Sequence, residues 1–128
     1  MSHDGEVLTR RHGPVMEIVV ARPAKLNGYT PTMLHALAEA YTLFEGDQDV
    51  RCALLTAEGP HFTAGLDLPR VQPVFARREP LFPVHCVDPL MRRPPWRSKP
   101  LVVAVQGICF TIGIELMLAV PTSFLVLS

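Results

Sequence analysis

Two glycine-marked turns, each directly after a short apolar run, restrict this chain to a fold in which buried strands hand over to loops and helices. One turn reads His61-Phe62-Thr63-Ala64-Gly65-Leu66-Asp67-Leu68. The other reads Ala104-Val105-Gln106-Gly107-Ile108-Cys109-Phe110-Thr111-Ile112-Gly113-Ile114-Glu115. The run before the first, at 49–56, holds Val50, Cys52, Ala53, Leu54 and Leu55; the run before the second is Leu101-Val102-Val103-Ala104-Val105. Both fit strands buried on two faces. Upstream, 6–10 and 15–21 read as strands joined around His12-Gly13-Pro14, a hairpin signal. A loop from Arg22 to Gly28 follows. Thr30 then stands as N-cap with Pro31 in the first helical position, and Met33, Leu34, Leu37, Ala38, Tyr41 and Phe44 recur at helical spacing as far as Gly46. Strand, helix, strand in that order implies a βαβ crossover, so the fold class is α/β.

With 128 residues, 48% hydrophobic, the chain supports one domain with a real core. A net charge of zero gives no electrostatic reason to expect nucleic acid as a partner. The charge is uneven, though. Between Pro69 and Pro100 lie Arg70, Arg77, Arg78, Arg92, Arg93, Arg97 and Lys99 against only Glu79 and Asp88, with eight of the thirteen prolines. That density of proline predicts an irregular excursion over 69–100 without regular helix or central strand.

Cys52, Cys86 and Cys109 are odd in number and lack ligand spacing, which reads as reduced thiols of a cytoplasmic protein. The first residues lack a basic segment followed by an apolar one, so no secretory signal is expected. The stretch 101–127 carries Glu115 as its sole charge and is long enough to cross a bilayer. Gln106, Gly107, Gly113, Pro121 and the β-rich opening argue instead for a buried strand, turn and helix, and a mid-span carboxylate would be costly. No membrane association is expected.

Glycine lets a backbone turn tightly and approach a ligand closely, which in the first turn leaves the Leu66 N–H free to donate. The same residues also fit an ordinary strand-to-helix loop with Asp67 as cap. In the second turn, Glu115 is flanked by Ile112, Ile114, Leu116, Met117 and Leu118. A carboxylate in apolar surroundings can move protons near neutral pH; an exposed glutamate, or one paired with an arginine of the excursion, is the alternative. Together the two turns can aim two backbone N–H groups at one carbonyl oxygen beside an acid/base, the requirement of acyl-thioester chemistry. His3, His12, His35, His61 and His85 show no metal-ligand spacing, and no P-loop, GxGxxG turn or GxSxG elbow occurs.

At these residues the chain resembles the N-terminal half of the enoyl-CoA hydratase/isomerase (crotonase) family. The matching segments are Arg22-Pro23-Ala24-Lys25-Leu26-Asn27, Thr30-Pro31, Phe62-Thr63-Ala64-Gly65-Leu66-Asp67-Leu68, and Lys99-Pro100 through Ala119, in the family's order and spacing. The resemblance implies a crotonase-like ββα spiral, here truncated to the N-terminal portion of the core, over 1–120. It implies a CoA thioester as substrate, with no cofactor beyond that coenzyme A and no metal. By resemblance the oxyanion hole is formed by the N–H groups of Leu66 and Ile112, and Glu115 is the first of two hydratase glutamates. Lys25, Leu26, Ala64, Gly65, Leu66, Asp67 and Leu68 would line the CoA path. The family is trimer-based, and its assembly helices, like the second glutamate, would fall after Ser128.

Two departures stand out. The family commonly has a run of glycines where this chain has Thr111-Ile112-Gly113, and a β-branched Ile112 is expected to restrict φ and crowd the pocket. The tail 121–128 departs from the family's continuation. One shifted frame of its codons can encode a family-like Ala-Asp-Ile-Val, which points to a disrupted reading frame and a tail without evolved structure. The chain itself is therefore expected to be an impaired fragment of a hydratase-like enzyme, or a non-catalytic partner of intact crotonase subunits.

Overall fold

The computed structural model describes residues 4–120 and 124–127. It holds a five-stranded sheet in the order β1 (Glu6–His12), β2 (Val15–Ala21), β3 (Cys52–Ala57), β4 (Leu101–Gln106) and β5 (Phe124–Leu127). β1 and β2 form the expected antiparallel hairpin, closed by Gly13 and Pro14, and every later neighbour is parallel. A short 3-10 turn (Pro23–Lys25) leads to helix α1 (Pro31–Gly46); α2 (Leu68–Ala76) follows β3 and α3 (Ile112–Leu118) follows β4.

α1 begins where capping chemistry places it: the Thr30 side-chain oxygen accepts the Met33 N–H at 3.2 Å, and Pro31 fills a position whose N–H has no helical partner. Its buried face is Met33, Leu34, Leu37, Ala38, Ala40, Tyr41 and Phe44, packed on β1 and β2. β3 starts later than its apolar run suggested. Residues 47–50 close the helix instead, with Val50 N–H on the Asp47 carbonyl and Asp49 N–H on the Asp47 carboxylate. Ile18, Val20, Leu55, Leu101 and Val103 carry the core across the sheet.

The excursion is not wholly irregular. Its first residues form α2, because Pro69 falls in the first helical turn and only Pro73 removes an internal N–H. From Arg77 to Pro100 the chain has no regular element, and the buried Asp88 carboxylate holds it locally by accepting the N–H groups of Leu90 and Arg92. The apolar stretch 101–127 divides into β4, α3 and β5, and among the described residues no helix is long and apolar enough to cross a membrane. In the tail, residues 121–123 and 128 lie outside the described residues. Phe124–Leu127 pair with β4, so this part of the tail has regular structure.

Candidate active site

The site is framed by three loops that backbone geometry zips together. Thr63 N–H donates to the Ile108 carbonyl and Phe110 N–H to the Thr63 carbonyl, both at 3.1 Å. His61 Nδ1 accepts the Ile108 N–H at 2.9 Å. The two glycine-marked turns therefore run side by side. The loop after β2 joins them: Ala64 N–H donates to the Leu26 carbonyl, Tyr29 N–H to the Gly65 carbonyl and Asp67 N–H to the Tyr29 carbonyl, each at 2.9 Å.

These bonds settle where Leu66 points. Tyr29 pairs in parallel with Leu66 by bonding its two neighbours, so the Leu66 N–H faces the opposite side of the segment. Among the described residues it has no acceptor, and neither has the N–H of Ile112, the first residue of α3. The turns touch one residue before each donor. Gly65, at φ +110, lies so close to Thr111 that a Cβ there would stand 2.5 Å from its Oγ1. A side chain at position 65 would push the turns apart, and only glycine adopts this φ readily.

Ile112 corrects one expectation. Its side chain is 2% exposed and belongs to the core, so it does not crowd the pocket. The constraint falls on Thr111, which is exposed and takes φ +43, a conformation costly for a β-branched residue. For Glu115 the structure takes the second of the two readings left open. It is exposed rather than sunk among apolar side chains, and faces a groove of about 350 Å³ lined by Leu90, Met91, Arg92, Leu118 and Ala119. None of residues 64–68 lines that groove: Gly65 meets Thr111, one residue before each candidate donor, and Glu115 lies one helical turn beyond Thr111.

Lys25 and Leu26 are exposed beside Ala64, and Leu68 is exposed at the start of α2. The Asp67 carboxylate does not cap α2; it accepts from Arg22 Nη1 at 2.8 Å. Sequence reasoning missed this pair, and it missed Thr63, whose buried hydroxyl donates to the Asn27 carbonyl at 2.6 Å and accepts the Gly65 N–H at 3.0 Å. Arg22 and Asn27 were visible in the quoted segment, but nothing in their spacing names partners so distant in the chain. Cys109 lies in the second turn, and burial pushes its thiol up.

The enoyl-CoA hydratase/isomerase family model matches residues 10–124. The chain belongs to that family. Among curated relatives it is 29% identical to an enoyl-CoA hydratase of Mycobacterium tuberculosis, over 88% of this chain and 43% of the relative. It is 34% identical to the 1,2-epoxyphenylacetyl-CoA isomerase of Escherichia coli, over 88% of this chain and 44% of the relative. A solved structure from Mycobacterium abscessus, assigned to enoyl-CoA hydratase/isomerase, superposes with a TM-score of 0.82 at 45% identity, covering 89% of this chain and 44% of that one. The fold is thus the crotonase fold, and the chain spans less than half the length of these relatives.

Proposed function

We propose that this chain supplies the thioester-binding half of an acyl-CoA site that adds water to a 2-enoyl-CoA. The supporting observation is the contact of Gly65 with Thr111, which sets on adjoining turns the N–H groups of Leu66 and Ile112, neither of which has an acceptor among the described residues. Two such donors on a thioester oxygen stabilise the enolate formed as water attacks C3. Glu115, open to solvent on α3, takes the proton from that water as general base. The proton that C2 receives comes from a second carboxylate, which the resemblance places after Ser128. Lys25, Leu26 and residues 64–68 line the path of the CoA moiety, and coenzyme A is needed only as part of the substrate. Double-bond isomerisation uses the same enolate, so it is the alternative reaction at this site.

The test is turnover of crotonyl-CoA, followed by loss of its enoyl absorbance, by the chain with and without a relative's complementary C-terminal half. Glu115→Gln is expected to lower that turnover about 10²–10⁴-fold without loss of fold. Unchanged turnover removes Glu115 from the mechanism.

One observation favours a second reading, a non-catalytic chain that associates with intact, trimer-based subunits. Phe110, Ile114 and Leu118, spaced four apart, are 52%, 47% and 66% exposed. Co-elution with a full-length relative in size-exclusion chromatography, without gain of turnover, would select this reading.

A further inference from the structure

Arg22 is the first residue after β2, and its guanidinium is buried although charged groups seldom are. Nη1 donates to the Gly28 carbonyl at 3.0 Å and to Asp67 Oδ2 at 2.8 Å. The side chains of the pair are 7% and 21% exposed, so the attraction is little screened by solvent. Its backbone is fixed in turn: the Arg22 N–H donates to Asn27 Oδ1 at 2.7 Å, and Asn27 Nδ2 donates to the carbonyls of Glu58 and His61 at 2.8 Å each.

Asp67 is unusual at its own position. It stands at the N-cap of α2, where an aspartate ordinarily accepts a helix N–H, yet its side chain makes no such bond. The carboxylate turns instead to Arg22, while its backbone N–H is held by Tyr29. Gly65, on the other side, is held by Thr63 and Tyr29. Leu66 is left as a short span between two anchored neighbours, its own N–H without an acceptor among the described residues.

We infer that Arg22 and Asp67 form a positioning pair that holds the Leu66 N–H in register with the Ile112 N–H. The inference rests on reading those amides as oxyanion donors. The bond joins the loop after β2 to the first turn across 45 residues of chain, and it fixes the residue that follows the donor. A hydrogen-bond donor acts on developing charge only while it is held within about 0.5 Å of its productive position, roughly 2.7–3.1 Å from the oxygen it serves.

The probe is 2,4-hexadienoyl-CoA, whose absorption moves to longer wavelength when its carbonyl is polarised, added to the full chain. The wild-type chain is expected to bind it with a red shift. In Asp67→Asn that shift should fall to less than half while the fold is kept by circular dichroism. Arg22→Lys, which retains one charged donor, should keep more of the shift than Arg22→Met. The Leu66 amide order parameter, measured by 15N relaxation without ligand, should fall from about 0.85 toward 0.6 in Asp67→Asn. A folded Asp67→Asn with undiminished shift and order parameter overturns the inference. If the wild type shows no red shift, the oxyanion reading fails, and the Leu66 order parameter alone decides the positioning role. Should Asp67→Asn not fold, Arg22→Lys read by the same two measurements decides it: loss of shift or order supports the pair, and wild-type values refute it.

Discussion

Thr111 and Gly65 show how two residues with opposite needs can occupy one contact. Gly65 uses φ +110 at little cost because it has no Cβ, and any Cβ would meet the Thr111 hydroxyl. Thr111 at φ +43 carries strain on the order of 1–3 kcal/mol. Thr111→Gly should release that strain against roughly 0.5–1 kcal/mol of added backbone entropy in the unfolded chain, and so leave the protein slightly more stable. Gly65→Ala should destabilise it by about 1–3 kcal/mol, because strain and steric conflict add. Urea midpoints at constant slope check both signs. The glycine requirement at 65 was legible from the motif. The strain at 111 was not: sequence reading placed the β-branched difficulty on Ile112, whose side chain the core takes in.

The elements hold together through groups that propensity does not report. Lys99, just before β4, donates from Nζ to the carbonyls of Phe44, Asp47 and Val50, and so closes the C-terminal end of α1. Beside it, Glu45 accepts from the Ser98 hydroxyl and from the N–H groups of Ser98 and Lys99. Burial tends to raise the Glu45 carboxyl, but these bonds outweigh it and hold the group below the usual carboxylate range. Glu17 is likewise held down, first by its bond with His12 and then by Thr56 and Arg10, against burial. A carboxylate whose folded pKa lies below its unfolded value, about 4.3, stabilises above that value. Its contribution fades as pH falls through the depressed folded pKa. Stability in urea should therefore drop from pH 5 to pH 3, and Glu45→Gln should be less stable than wild type at pH 7 with the gap narrowing toward pH 3. A constant gap would show that Glu45 acts through shape rather than charge. The α1 boundaries were readable from Thr30, Pro31 and the apolar spacing; the link from α1 to β4 needs a contact more than fifty residues apart in the chain, which no local pattern encodes.

Over the whole molecule, the sheet ends differently on its two sides. β1 presents Arg10, Arg11 and His12 to solvent, polar groups that discourage further pairing. β5 presents Leu125, Val126 and Leu127, 52%, 66% and 45% exposed, and α3 adds Ile114 and Leu118. An apolar surface of this kind drives association. The double variant Ile114→Lys with Leu118→Lys should lower self-association in sedimentation velocity, with stability changed by less than about 1 kcal/mol, since Leu118 is mostly and Ile114 about half exposed.

The apolar runs, the glycine turns and the capped helix determined the α/β class, the hairpin and the order of elements, because these follow from local periodicity and from residues with few backbone options. The prolines of 69–100 misled over α2, where Pro69 falls in the first helical turn, which tolerates it, and Pro73 stands inside the helix at the loss of one N–H. Which residues meet was decided by the tertiary structure alone. The parallel pairing of Tyr29 with Leu66, the turn of Asp67 from its helix to Arg22, and the exposure of Glu115 all depend on contacts between distant segments. Only the assembled sheet brings those segments together.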